Sequence, residues 1–118
     1  MSLDVYLHSN YPCPHCGEKI PDKDPCYRFN ITHNLGKMAG VAGLYEVMWR
    51  PEEIGVKYAR GAILLLQFGI AYLIVNADEC RNLNPENGWG SYEGLLSQAQ
   101  EYLKFCDMYP DAVIEVSR

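Results

Sequence analysis

The sequence predicts an α+β domain: a small, mostly antiparallel sheet (an N-terminal strand, a strand near 27–31 and a C-terminal strand) with about three helices packed on it. Three observations lead there. Short runs in which apolar and polar residues alternate stand at the start of the chain, near residue 29 and at its end. An unbroken apolar stripe at three- and four-residue spacing runs from Tyr92 to Cys106. A long stretch without charge lies between Arg60 and Asp78.

At 118 residues the chain is expected to form one domain with a real core. Its 48% hydrophobic and 21% charged residues place it among globular rather than disordered chains. The net charge of -5 argues against a duplex nucleic-acid binder, which would present a basic face. No signal peptide is read at the start, because Asp4 interrupts it and no basic region leads into an apolar one. Five cysteines is an odd number, with three near the N-terminus and Cys80 and Cys106 in helical-looking segments, which suggests reduced thiols in a cytoplasm rather than a secreted disulfide framework.

Taken in order, Ser2 to His8 reads as a strand, with Leu3, Val5 and Leu7 on one face and Asp4, Tyr6 and His8 on the other. Residues 9–25 read as a loop, broken by Pro12, Pro14, Gly17, Pro21 and Pro25. Cys26 to Ile31 reads as a second strand that pairs with the first in a hairpin. Thr32 or Asn34 then caps a helix, Leu35, Met38, Ala39, Ala42 and Tyr45 follow at helical spacing, and Gly43 serves as a stop. Gly36 and Gly40, four apart, predict a close approach of this helix to the sheet or to a ligand. Leu44 to Trp49 continues as a short helix or turn. Pro51 suits the first position of another helix, with Glu52 and Glu53 at its positive end.

The uncharged run inside 55–77 is shorter than a spanning helix and carries Gly61 and Gly69. A buried central helix or an apolar self-association face fits it better than a membrane span, although Ile74-Val75 also allows a strand. Asn84-Pro85 and Asn87-Gly88 break the chain. Ser91 then caps the last helix, which ends before Pro110, and residues 112–116 form the closing strand.

Two groups of residues carry chemistry. In the loop, Cys13-Pro14-His15-Cys16-Gly17 has the form of a zinc knuckle, in which a tight turn aims two thiolates at one metal. A structural zinc needs four ligands and no second Cys-x-x-Cys is present, so Cys26 is the natural third and His8 or His15 the candidate fourth. A metal-free knuckle is the competing reading. Thioredoxin-like redox chemistry fits poorly, because that motif opens a helix. The second group lies where strand hands over to helix. His33, Asn34 and Lys37 gather there, Trp49 and Arg50 follow, and Trp89 stands between Gly88 and Gly90 at another helix start. If both helix starts converge over one sheet edge, His33, Asn34, Lys37, Arg50 and Trp89 form a polar pocket. Trp49 itself is expected in the core.

Several blocks of the chain resemble something known: Met1-Ser2-Leu3-Asp4-Val5-Tyr6-Leu7, the run from Asn30 through Ala39, Trp49-Arg50-Pro51-Glu52-Glu53, Asn87 through Glu93, and the ending from Tyr109. Together they resemble a family of small proteins common in bacteriophage and prophage genomes. The resemblance implies a genomic setting, and with it the cytoplasm of a host, rather than a reaction.

Three functions from different classes follow as expectations. The first is a phage-type accessory protein that binds a small, nucleotide-like ligand through His33, Asn34, Lys37, Arg50 and Trp89, in the manner of a counter-defence protein that captures a host signalling nucleotide. The second is an interaction module with a zinc-stapled loop that docks on a host or phage protein, with self-association through the apolar helix. The third is a hydrolytic enzyme with His33 as general base. Catalysis requires a positioned partner for that histidine, and no nucleophile or acid stands at a telling spacing from it, so binding is preferred.

Overall fold

The computed structural model describes the chain except Met1, Cys13, Pro14 and residues 16–18 and 22–24; for residues 10–12 and 19–21 the backbone alone is described. Strand β1 (Ser2–His8) is the centre of a three-stranded antiparallel sheet, flanked by β4 (Tyr27–Thr32) and β5 (Val113–Ser117). Its register pairs Leu3 with Ile31 and Val5 with Phe29 on one side, and Val5 with Val116 and Leu7 with Ile114 on the other. Because facing residues share a face, the period-2 pattern of β1 sends Leu3, Val5 and Leu7 inward with Phe29 and Ile31, all buried. Full burial of each such aliphatic side chain contributes roughly 1.5–3 kcal/mol. Asp4, Tyr6 and His8 lie on the opposite face. There Asn30 donates to Asp4 at 2.9 Å, and His8 pairs with Glu115 at 2.8 Å.

The stretch expected to be a loop contains a small hairpin of its own. Asn10–Pro12 (β2) and Lys19–Pro21 (β3) pair antiparallel. Each strand is only three residues long and carries a proline at one end, too short for the alternation that marks a strand in sequence.

After β4 the chain turns through a single 3-10 turn (His33–Leu35), with the Thr32 hydroxyl accepting from the Asn34 amide at 3.3 Å. Helix α1 (Gly36–Ala42) follows and stops at Gly43, whose φ of 79° is the left-handed conformation that ends helices. Helix α2 (Tyr45–Trp49) leads into a 3-10 turn (Pro51–Ile54) begun by the predicted proline and closed by Gly55 at φ 73°. The uncharged stretch is helical throughout, as α3 (Ala59–Val75), and no strand forms at Ile74-Val75. A break at Asn76, whose side chain donates to the Tyr72 carbonyl at 3.2 Å, separates it from α4 (Ala77–Arg81). Helix α5 (Tyr92–Met108) begins at the predicted Ser91 cap, whose hydroxyl accepts from the Gly94 amide at 3.1 Å. The architecture is thus α+β, with more helices than the three or so expected, because the short segment after Gly43 is helical and Asn76 separates α4 from α3.

Helices α3 and α5 run antiparallel. The Tyr92 hydroxyl donates to the Leu73 carbonyl at 2.6 Å at one end. At the other, the free amides of Ala59 and Arg60 donate to the carbonyls of Ala112 and Pro110, both at 2.9 Å. Helix α3 has no side-chain cap, so these carbonyls satisfy amides that a helix start leaves open. The preceding residues extend the sheet: Tyr58 bridges Val113, and Ile114 donates to the Lys57 carbonyl. Helix α5 seats on β4 through Tyr27 stacked on Phe105 (4.1 Å between centroids) and Phe29 tilted against Tyr102.

The close packing expected at Gly36 and Gly40 occurs elsewhere. Gly40 faces open space, and Gly36 lies in ordinary contact with the Tyr45 ring. The tight crossing is at Gly69 of α3, where a Cβ would stand 2.2 Å from Leu44. Small size is needed where two helices cross, and that position depends on how the chain folds back.

Candidate functional site

The junction between β4 and α1 builds the site. Trp49 is buried, as expected of a tryptophan in a small domain, but its indole does more than fill space. Its Nε1–H donates to Nδ1 of His33 at 2.9 Å. An indole is a donor only, so it occupies the lone pair on Nδ1, and the ring proton of the neutral imidazole sits on Nε2. His33 is therefore arranged as a hydrogen-bond donor rather than as a base with a carboxylate behind it. Its helix-start position comes from the Thr32 cap.

On its other side Trp49 stacks against Tyr45, four residues earlier on α2, at 5.5 Å and 11°. The Tyr45 hydroxyl accepts from Nε of Arg50 at 3.3 Å, and Arg50 reaches Glu53 at 2.8 Å. The Tyr45 hydroxyl, and after it the Glu53 carboxylate, raise the pKa of the guanidinium. Arg118 closes the arrangement from the end of the chain, donating to the Trp49 carbonyl at 2.9 Å and to the Glu52 carboxylate. Glu52 is held below the ordinary carboxylate range first by its own backbone amide at the start of the 3-10 turn, then by Arg118.

The second helix start does meet the first. The Asn34 carboxamide reaches the Trp89 carbonyl at 3.5 Å, and Gly90 lies directly against Thr32 and Leu35. A Cβ on Gly90 would stand 2.8 Å from Thr32, and its φ of 104° also favours glycine, so both space and backbone select that residue. The Trp89 amide donates to the Asn87 side chain at 2.9 Å. The loop backbone is therefore fixed while the Trp89 indole stays 71% exposed.

Of the five residues expected in a pocket, His33 and Arg50 join through Trp49 and Tyr45, and Asn34 joins Trp89. Lys37 is exposed on α1 and makes no ion pair among the described residues. Tyr45, Glu53 and Arg118 also belong to the arrangement; the sequence marks Tyr45 only as a helical position and Glu53 only as a helix-start charge, and gives no sign of Arg118. Tyr45 and Glu53 stand at helical spacing from Trp49 and Arg50, a signal that was legible; nothing local connects Arg118 to Trp49.

For the metal reading, Cys13 and Cys16 lie outside the described residues. His15 is exposed at a turn. Cys26 packs against the core at the foot of the β1–β4 hairpin, its thiol donating to the Leu7 carbonyl at 3.3 Å. Nε2 of His8 is engaged by Glu115. Among the described residues no group of three His, Cys, Asp or Glu side chains is placed to hold a metal. No described helix is long and apolar enough to cross a membrane.

Comparison with known protein families, curated proteins and solved structures returns no match to this chain.

Proposed function

We propose that the protein is a small binding protein that takes a nucleotide-like ligand at the junction of the two helix starts, in the setting of a bacteriophage or prophage accessory protein. The observation that carries this reading is the Trp89 indole, exposed on a loop whose backbone is anchored to Asn34 and packed on Thr32 and Leu35. A tryptophan held this way offers a rigid face for a base, at little cost in conformational freedom. The Asn34 carboxamide beside it supplies polar recognition, and the exposed Lys37 is the candidate for an anionic group. With Nδ1 taken by the Trp49 indole, His33 keeps a proton on Nε2 to donate, which favours binding over hydrolysis.

Tryptophan emission tests the reading directly, because the chain has two tryptophans and only Trp89 is open to a stacking base. A panel of mono-, di- and cyclic nucleotides should contain one that quenches the wild type but leaves Trp89→Phe unchanged. His33→Gln should weaken binding with the fold intact by circular dichroism. No quenching across the panel, together with a bare polypeptide mass for the purified protein in native mass spectrometry, would sink the proposal. The same mass spectrum tests a structural zinc on Cys13, Cys16 and Cys26: one zinc per chain, released by acid, supports it. Cys26 would then exchange its hydrogen bond to Leu7 for the metal.

A further inference from the structure

Helix α3 carries two apolar stripes of identical spacing on opposite faces. Ala62, Leu66, Gly69 and Leu73 are buried against the rest of the molecule. Leu64, Phe68, Ala71 and Val75 repeat the same four-three-four steps two residues later, which turns them about 200° around the helix and out into solvent. Leu64 is 59%, Phe68 67% and Val75 80% exposed, with Ile74 at 56% on the flank. A helix apolar on both faces inside a domain that covers only one of them leaves a surface without a partner. These four large side chains present on the order of 500 Å² of apolar area, at the upper end of what a monomer carries.

We propose that this face pairs with the same face of a second copy of the chain, α3 against α3 in antiparallel. Charge decides the occupant and the direction. No charged residue interrupts residues 61–77, but the two ends of the stripe differ in sign: Lys57 and Arg60 precede it, Asp78 and Glu79 follow it. Arg60 is paired with Asp111, and Asp78 with Arg81, whereas Lys57 and Glu79 make no ion pair among the described residues. An antiparallel pair brings the basic end of each copy to the acidic end of the other, twice by symmetry; a parallel pair brings like charge to like. Two such faces together cover about 1,000 Å², the lower bound for a specific interface, with the charged ends adding a polar rim.

Sedimentation velocity across a concentration series of the full chain tests the proposal. A dimer is expected for the wild type. Phe68→Glu, at an exposed position that leaves the core untouched, should remain monomeric at concentrations about 100-fold above the wild-type dissociation constant. Lys57→Glu or Glu79→Lys alone should weaken the dimer roughly tenfold, as two exposed pairs turn repulsive, and the double reversal should restore it. A wild type that stays monomeric, or a dimer indifferent to Phe68→Glu, overturns the proposal. So does a monomer that instead binds neutral phosphatidylcholine vesicles through Phe68, which would assign the face to a lipid surface. A double reversal no tighter than the single ones overturns the antiparallel arrangement.

Discussion

At Gly69 a missing side chain decides how two helices meet. A Cβ there would lie 2.2 Å from the Leu44 side chain, which is itself fully buried, and 3.3 Å from the Ala42 carbonyl. Gly69→Ala should therefore destabilise the protein by about 1–3 kcal/mol through overpacking, even though alanine is the better helix former. Gly40→Ala is the control. It also places alanine in a helix, but in open space, and should stabilise by about 0.5–1 kcal/mol. Urea unfolding of both variants checks the pair, and equal effects would contradict the packing described. In the sequence these glycines look alike, and only Gly36 and Gly40 drew attention because of their spacing. His33 shows the same limit. Its place at a helix start was legible, but the indole that fixes its tautomer comes from a residue sixteen positions later, on another helix.

Helix α5 is the element most fully written in the sequence. Its cap at Ser91, its apolar stripe and its end before Pro110 all follow from local rules, and its buried residues Tyr92, Leu95, Ala99, Tyr102 and Cys106 are members of the stripe. Its first turn also sets a pH dependence. Glu93 is held below its ordinary pKa of 4.5, first by its own backbone amide at the helix start and then by Arg81. The folded state thus binds fewer protons than the unfolded chain in this range. The contribution of Glu93 is complete above the unfolded pKa and is lost as pH falls through the lower folded value. The gap in melting temperature between wild type and Glu93→Gln should accordingly be widest near about pH 7 and close towards about pH 3. A gap that does not change on acidification would show that Glu93 does not act through its charge. By contrast, α4 leaves no mark in the sequence, because five residues are too few for helical periodicity to stand out beside the Asn76 break.

For the molecule as a whole, one hydrophobic cluster joins the inner face of the sheet to α1, α2, α3 and α5, and two thiols are sealed within it. Burial, and after it the charge of Asp107, pushes the Cys106 thiol up to about 12, while burial and then Glu79 raise that of Cys80. A thiol that is buried and protonated does not react with alkylating reagents. In the native protein at about pH 8, iodoacetamide should leave both Cys80 and Cys106 unmodified, and denaturation should expose both, as read by peptide mass mapping. Labelling of either in the native state would mean that the core opens locally there.

The sequence alone determined the strands at both ends, the hairpin of β1 with β4, the long helices α3 and α5 and the turns at Gly43, Pro51 and Ser91. Each of these rests on periodicity or on a backbone preference expressed within a few residues. Tertiary structure decided the rest. It chose Gly69 over Gly36 and Gly40 for the close crossing, brought Arg118 to Trp49, set Trp89 beside Asn34, and determined which of two equally apolar faces of α3 enters the core. Those outcomes depend on contacts between residues far apart in the chain, and the pattern within a single segment carries no record of what will fold against it.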